Sequence, residues 1–114
     1  MADPEHLKKL KEGVDVWNQW RDNNRNVEPD LTQVDLAEAN LNGANLRSAN
    51  LSAAHLLNTK LTGANLTGAN FNDADLTGAD LSVAYLLTTN LTAANLRGAD
   101  LFNANLTKVD VGGR

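Results

Sequence analysis

The sequence predicts an all-β solenoid preceded by an α-helical N-terminal segment, and three observations indicate this. A large apolar residue recurs at every fifth position through the last three quarters of the chain, seventeen times without a gap. A small residue, usually Ala, stands two positions before each of them. The first thirty residues lack this repeat and carry a helical pattern instead. The recurring apolar residues are Leu31, Leu36, Leu41, Leu46, Leu51, Leu56, Leu61, Leu66, Phe71, Leu76, Leu81, Leu86, Leu91, Leu96, Leu101, Leu106 and Val111.

The five-residue period excludes both a helix and a flat strand for this region. In a helix at about 100° per residue, successive Leu residues would rotate by about 140° and spread around the whole cylinder. In a flat strand the side-chain period is two, so an odd spacing would place successive Leu residues on opposite faces. A chain that bends once per unit keeps every Leu on one side. The Gly-, Thr-, Ser- and Asn-rich pairs between units, such as Thr62-Gly63, suit such corners.

The unit Ala-(Asn/Asp)-Leu-X-X resembles the motif of the pentapeptide-repeat family over residues 30–111. Short cyanobacterial members with an N-terminal helix are especially similar, through the stretch from Val16 to Arg21. Spacing alone leaves the number of units per coil open. The resemblance implies a right-handed quadrilateral β-helix with twenty residues per coil and about four coils. Stacking at that period places Leu51, Phe71 and Leu91 in one interior column, and we expect the inward hydroxyls of Thr59 and Thr89 to bond backbone carbonyls.

The N-terminal region is predicted to be an amphipathic helix that caps the first coil. Asp3-Pro4-Glu5 is typical of a helix start, and the helix is predicted over residues 4–21. Its apolar face contains the predicted cap residues. We expect residues 1–28 to form this capping helix and a linker, and residues 29–114 to form the β-helix. The cap residues are Leu10, Val14, Trp17 and Trp20.

The C-terminal coil has no comparable covering segment in the sequence. A stack of coils exposes apolar cross-section and open strand edges at its ends. We therefore expect a homodimer through this coil, because a two-fold pair would bury both cross-sections. Two alternatives stay open: the protein continues beyond this sequence, or Lys108 and Asp110 act as edge charges that discourage pairing.

Outward-facing apolar and aromatic side chains are the candidate binding surface for an unknown protein partner. The octapeptide beginning at Ala54 resembles the one beginning at Ala84, thirty residues later, which is one and a half coils. The two copies therefore face opposite ways, and the alternative is that their apolar groups are incidental surface residues. The acidic residues of the third coil, among them Asp75 and Asp80, form either a strip for a basic partner or an ordinary solvated face. The candidate partner residues are His55, Leu57, Tyr85, Leu87 and Phe102, the bulky groups expected to face water.

Composition and spacing argue against several classes of function. Ten Lys and Arg against fourteen Asp and Glu give a net charge of −4 with no basic patch, so direct nucleic-acid binding is not expected. No cysteine is present, and the short apolar runs predict no membrane span and no export segment, so we expect a cytoplasmic protein. His55 has Asp35 and Asp75 in its column, which would suit a metal or proton site. A solvated surface histidine is the favoured interpretation, because no second His, Glu or Cys converges there.

These observations favour a non-catalytic structural or protein-interaction module, with no predicted catalytic, cofactor-binding or metal-binding residue. The alternative implied by the resemblance is a DNA-mimicking binder of a type II topoisomerase, gyrase. An enzyme is disfavoured because no convergent polar cluster is predicted.

Overall fold

The chain forms two helices followed by a solenoid in the computed structural model, which describes residues 2–112. Helix α1 spans Pro4–Lys11 and helix α2 spans Val14–Asn23. From Asp30 to Asp110, parallel bridges join each outward residue to the residue twenty positions later, as in Asp35 with His55. Within residues 2–112 each side of a coil contributes a single bridged residue, and none of the sides forms a strand of two or more residues. The predicted outer boundaries, Met1 and Arg114, lie outside the described residues.

Four five-residue units make one coil, because bridged positions recur every five residues and pair every twenty. From Leu31 to Leu91 the apolar residue of each unit donates its N–H to a carbonyl of the following coil, as Leu31 does to Asn50 at 2.8 Å. The bridged residue donates back to the preceding coil, as Asn50 does to Pro29 at 2.8 Å. The coil is therefore a four-sided tube whose backbone hydrogen bonds run along its axis.

Two kinds of hydrogen bond close each corner. The Ala N–H bonds the carbonyl of the preceding Leu, as Ala64 does with Leu61 at 3.0 Å, and the second corner residue, here Gly63, has a φ of +68°. The outward Asn or Asp also accepts the N–H two residues on, as Asn65 Oδ1 does from Thr67 at 3.1 Å. This second bond explains why the middle position of most units is Asn or Asp.

The interior contains the repeated Leu and Ala columns. Leu51, Phe71 and Leu91 are all buried. As expected, the hydroxyls of Thr59 and Thr89 donate to backbone carbonyls, to Leu36 at 2.8 Å and to Leu66 at 2.7 Å. These bonds satisfy the two polar groups that replace Ala in the core.

The single helix predicted over residues 4–21 is wrong. The helical segment is broken at Glu12 and Gly13, where Gly13 has a φ of +116°, outside the helical range. Helix α2 also continues to Asn23, two residues beyond the predicted end. The break lets each helix turn its own apolar side chains toward the same neighbours, and Leu10 and Trp17 are both buried while Val14 and Trp20 are half-buried.

Candidate functional site

The two ends of the solenoid differ in how their backbone edges are hydrogen-bonded, and helix α2 bonds the edge of the first coil. Trp17 Nε1 donates to the Asn45 carbonyl at 2.7 Å. Asn18 Nδ2 donates to the Gly43 carbonyl at 3.1 Å, and Asn18 Oδ1 accepts the Asn45 N–H at 2.7 Å. Asn18 Oδ1 and Trp17 Nε1 thus bind the Asn45 N–H and carbonyl, the two groups that a preceding coil would bind at this residue.

Arg21 joins α2 to the first coil from a buried position. Its guanidinium donates to the Val27 carbonyl through Nη1 and to the Arg47 carbonyl through Nη2, both at 2.7 Å. Only 4% of Arg21 is exposed. Burial lowers the pKa of Arg21, and the positive charge of Arg47 lowers it further.

A third set of contacts joins the start of the chain to the first bridged residue of the solenoid. The Asp3 N–H donates to the Asp30 carbonyl at 3.0 Å, and the Asp30 N–H donates to His6 Nδ1 at 2.9 Å. The His6 ring lies 5.1 Å from the Trp20 ring, which lies 5.1 Å from Trp17. Asp30 is therefore held by groups at the start of the chain on one side of the first coil.

Sequence reasoning missed the polar residues among these contacts: His6, Asn18 and Arg21. Asn18 follows Val14 by four residues and Arg21 follows Trp17 by four, so each shares a helix face with a predicted cap residue. That spacing was the available signal. This spacing is a weak signal, because polar residues of an amphipathic helix usually lie on its solvent side.

At the other end, the last coil leaves apolar side chains and backbone donors uncovered. In earlier coils the Leu N–H donates to the next coil, as Leu76 does to Asn95 at 2.8 Å. The equivalent N–H groups of Leu96, Leu101 and Leu106 have no backbone acceptor within residues 2–112. Leu106 is exposed although its column is interior elsewhere.

Three exposed apolar side chains lie on the outer surface of the tube beside this end. The Val83 N–H donates to the Phe102 carbonyl at 2.8 Å, and Tyr85 is bridged to Asn105, the residue before Leu106. Phe102 is 70% exposed, Tyr85 55% and Val83 45%. We define the C-terminal apolar surface as Val83, Tyr85, Phe102, Leu106 and Val111.

The five candidate partner residues do not form one surface. His55 and Leu57 are exposed on a side of the tube whose column runs Asp35–His55–Asp75–Asn95, whereas Tyr85 lies in the column opposite. Of the five, Tyr85, Leu87 and Phe102 lie in the last two coils, and Tyr85 and Phe102 are exposed there. Leu87 is half-buried, and Val83 and Val16 are exposed although the sequence analysis did not place them among the bulky groups facing water. The expectation that only the candidate set faces water is therefore wrong.

Val83 occupies a strained backbone position. Its φ of +49° lies in the left-handed region, which a β-branched residue rarely adopts. The equivalent positions of the other coils are Gly43, Gly63 and Asn103, residues that tolerate this conformation. Ten other non-glycine residues of the described chain have a positive φ, Thr88 at +57° among them, so this conformation belongs to the corner of the repeat.

Replacing Val83 with Gly should stabilise the fold by about 0.5–1 kcal/mol, because the steric cost at positive φ exceeds the entropic cost of Gly in the unfolded chain. Urea unfolding measures this as a higher midpoint with an unchanged slope. Val83→Ala is the control: it removes the same methyl groups from the surface but keeps a Cβ, so it should give little stabilisation. A Gly variant less stable than the wild type would contradict the assigned strain.

The acidic residues of the third coil are engaged in the corner bonds. Asp75 accepts from the hydroxyl and N–H of Thr77, and Asp80 does so from Ser82. The hydroxyl bond first, and the backbone bond second, lower the pKa of both carboxyls. Because the folded pKa values lie below those of the unfolded chain, these groups stabilise the fold above the usual aspartate range. That contribution is lost as the pH falls through the lowered values.

Two clefts border the helices, and neither holds a recognisable metal site. One, of about 570 Å³, lies between residues 12–16 and Asn40 and Asn42. The other, of about 220 Å³, is lined by Arg21, Asp22, Arg25, Asn45 and Arg47. Across residues 2–112 no group of three or more His, Cys, Asp or Glu side chains is placed to hold a metal ion. Neither α1 nor α2, the helices of the described chain, is long and apolar enough to cross a membrane.

Twenty-residue parallel coils with an aliphatic interior and Asn- or Asp-closed corners define this protein as a four-sided β-solenoid. A family model described as pentapeptide repeats (8 copies) matches residues 30–68 and 69–107. The chain belongs to the pentapeptide repeat family, whose members form right-handed β-helices, and the resemblance inferred from the sequence is confirmed. No curated protein matches the chain.

Several solved structures of pentapeptide repeat proteins from cyanobacteria and a plant are similar to this chain. HetL, involved in heterocyst differentiation regulation in the cyanobacterium Nostoc sp. strain PCC 7120, is 34% identical over 70% of this chain and 42% of its own, with a TM-score of 0.40. A protein of the Arabidopsis thaliana thylakoid lumen is 35% identical over 75% of this chain and 55% of its own, with a TM-score of 0.38. A second Nostoc protein, alr5209, is 37% identical over 61% of this chain and 62% of its own, with a TM-score of 0.42. This chain therefore spans less than two thirds of each of these relatives.

Proposed function

We propose that this protein is a non-catalytic interaction module and that a second copy of the chain binds its C-terminal apolar surface. The observation that carries the proposal is the contrast between the two ends. Helix α2 hydrogen-bonds the edge of the first coil at Gly43 and Asn45, whereas the last coil presents N–H groups without backbone acceptors beside exposed apolar side chains.

A two-fold pair suits this surface because both copies present the same groups. Docking two last coils buries Leu106 and Val111 of each copy and brings their open edges together. Phe102, 70% exposed in the single chain, would be buried in the pair as its aromatic anchor.

The N-terminal segment has a supporting role in this proposal. In this proposal, residues 1–28 act as a cap and linker and residues 29–114 as the β-helix, which stays a prediction. The side-chain bonds of Trp17, Asn18 and Arg21 to the first coil support this division. Their effect is to occupy the edge of the first coil at Asn45 and Arg47, whereas no comparable side-chain bonds cover the last coil among residues 2–112.

A non-catalytic role is supported by how the outward polar side chains are used. Asn65, Asp75 and their equivalents direct Oδ1 at their own corners, so their chemistry serves the turn rather than a substrate. The cytoplasmic location stays a prediction, and one of the similar structures comes from a thylakoid lumen. Binding to gyrase also stays a prediction, which a supercoiling assay with excess protein would test.

Light scattering coupled to size exclusion tests the dimer directly. The wild type should have about twice the 12.2 kDa chain mass. Phe102→Asp should shift it to the monomer, because a carboxylate would be buried at the interface. Leu57→Asp is the matched control: it makes the same kind of change at an exposed side chain on another side of the tube, and it should stay dimeric. A monomeric wild type, or equal effects of the two variants, would refute the proposal.

A further inference from the structure

The 220 Å³ cleft between the end of α2 and the first coil carries a local excess of positive charge. Three of its lining residues are arginines, Arg21, Arg25 and Arg47, against one carboxylate, Asp22. The chain as a whole has a net charge of −4. The cleft holds three of the ten basic residues, so its local charge is opposite in sign to the net charge of the chain.

None of these arginines has an acidic partner in the part of the chain that the structure describes. The salt bridges there join His6 with Asp3 and Lys9 with Glu12, at α1 and the residues beside it. Asp22 contributes its backbone carbonyl instead, which accepts from Arg25 Nε at 3.3 Å. Clustered cations without an anion repel one another, so this arrangement favours a bound anion.

Arg21 adds an independent observation. Only 4% of Arg21 is exposed to solvent, and its buried Nε has no hydrogen-bond acceptor among residues 2–112. The two carbonyls that bind its Nη atoms are neutral, so its charge is not compensated. The lowered pKa of Arg21, caused by burial and then by Arg47, reflects the same imbalance.

Asn45 completes the set of donors around the cleft. Its Oδ1 accepts the Arg47 N–H at 3.2 Å, and its Nδ2 has no acceptor within the described residues. The cleft, of about 220 Å³, has room for one tetrahedral oxyanion. Arg25 and Arg47 are exposed, which leaves a route from solvent.

We propose that this cleft binds a phosphate group, either inorganic phosphate or the phosphoryl group of a small molecule. Guanidinium groups present forked donors that match phosphate oxygens, and a dianion compensates the excess charge of the lining. Arg25 and Arg47 are the groups that close on the anion from solvent, while Arg21 supplies fixed charge from below and keeps its bonds to Val27 and Arg47.

Titration with inorganic phosphate at constant ionic strength, followed by nitrogen-15 NMR of the arginine Nε–H and backbone amide signals, tests the proposal. The wild type should show saturable shifts around Asn45 and Arg47 with a Kd of about 1 mM or tighter. Arg25→Gln and Arg47→Gln should each weaken binding by about tenfold, since each removes a charge-assisted hydrogen bond. A parallel titration with methyl phosphate separates the two sources: equal affinity indicates a phosphoryl group on a carrier, and weaker binding indicates the inorganic ion.

Arg97→Gln is the matched control, because Arg97 is an exposed arginine of the repeat in a corner column that does not line the cleft. It should bind phosphate as the wild type does. Chloride that reproduces the shifts at equal ionic strength, no saturable shift, or the same loss in Arg97→Gln as in Arg47→Gln would overturn the proposal. The glutamine variants change exposed residues, and unchanged amide spectra without phosphate show that they are folded.

Discussion

Phe71→Ala should destabilise the solenoid by about 3–5 kcal/mol. Phe71 is fully buried in the column between Leu51 and Leu91, and coils above and below it are fixed by backbone hydrogen bonds. The walls around the vacated ring cannot move inward without breaking those bonds, so most of the cavity should remain. Each coil contacts only its neighbours. The lost packing energy therefore weakens the contacts of the middle coil with the coils on both sides of it.

Urea unfolding followed by circular dichroism measures the effect. Leu57→Ala is the control, since it shortens an exposed apolar residue of the repeat and should change stability by about 0.5 kcal/mol or less. If the two variants lost similar stability, the core would not be centred on the Phe71 column.

Trp17→Ala should cost about 3–5 kcal/mol in the stability of the N-terminal part of the molecule. The indole is fully buried, contacts Trp20 at a ring distance of 5.1 Å and donates to the Asn45 carbonyl at 2.7 Å. Its removal leaves both a large cavity and an unsatisfied carbonyl at the edge of the first coil. Amide hydrogen exchange should therefore accelerate at Asn45, whose N–H is held by Asn18, more than in the central coils.

Two further variants separate the effect of the cavity from the effect of the lost hydrogen bond. Val16→Ala changes the adjacent exposed residue of α2 and should leave exchange at Asn45 unchanged. Trp17→Phe keeps most of the apolar contact but loses the N–H, and should cost about 1–3 kcal/mol. Uniform acceleration across all coils in Trp17→Ala would mean that the whole chain unfolds as one unit instead.

The solenoid was predictable because a single spacing carries the information. The five-residue period places every Leu inside only if the chain turns once per unit, and this needs no knowledge of longer contacts. The size of the coil was not predictable from spacing, because three, four or five units per coil all keep Leu inside. The twenty-residue pairing came from the family resemblance, and the bridges such as His55 with Asp75 show it directly.

The helical segment shows why periodicity misses a break. Leu10, Val14 and Trp17 continue one helical face across Gly13, so the pattern predicts an unbroken helix. A glycine within such a pattern is tolerated in many helices and gives no clear signal of its own. The positive φ at Gly13 separates the two helices, and the spacing of apolar residues does not report a backbone angle.

The candidate surface was only partly predictable. Tyr85 and Phe102 stand out because aromatic residues are rare outside the core of this repeat. Val83 does not, since valine is ordinarily a strand residue and its corner geometry is visible only in the backbone angles. Asn18 and Arg21 were missed because their bonds go to backbone atoms of residues about 25 positions away.

The bonds of α2 to the first coil also limit how molecules of this protein can assemble end to end. Where Gly43, Asn45 and Arg47 are already bonded to helix side chains, no strand of another molecule can extend the ladder. In the pair proposed above the C-terminal ends are joined to each other, so these bonds would leave that side of each first coil closed to a further copy. A single asparagine, a tryptophan and an arginine thus occupy backbone atoms at which a repeating fold of this kind would otherwise add another coil.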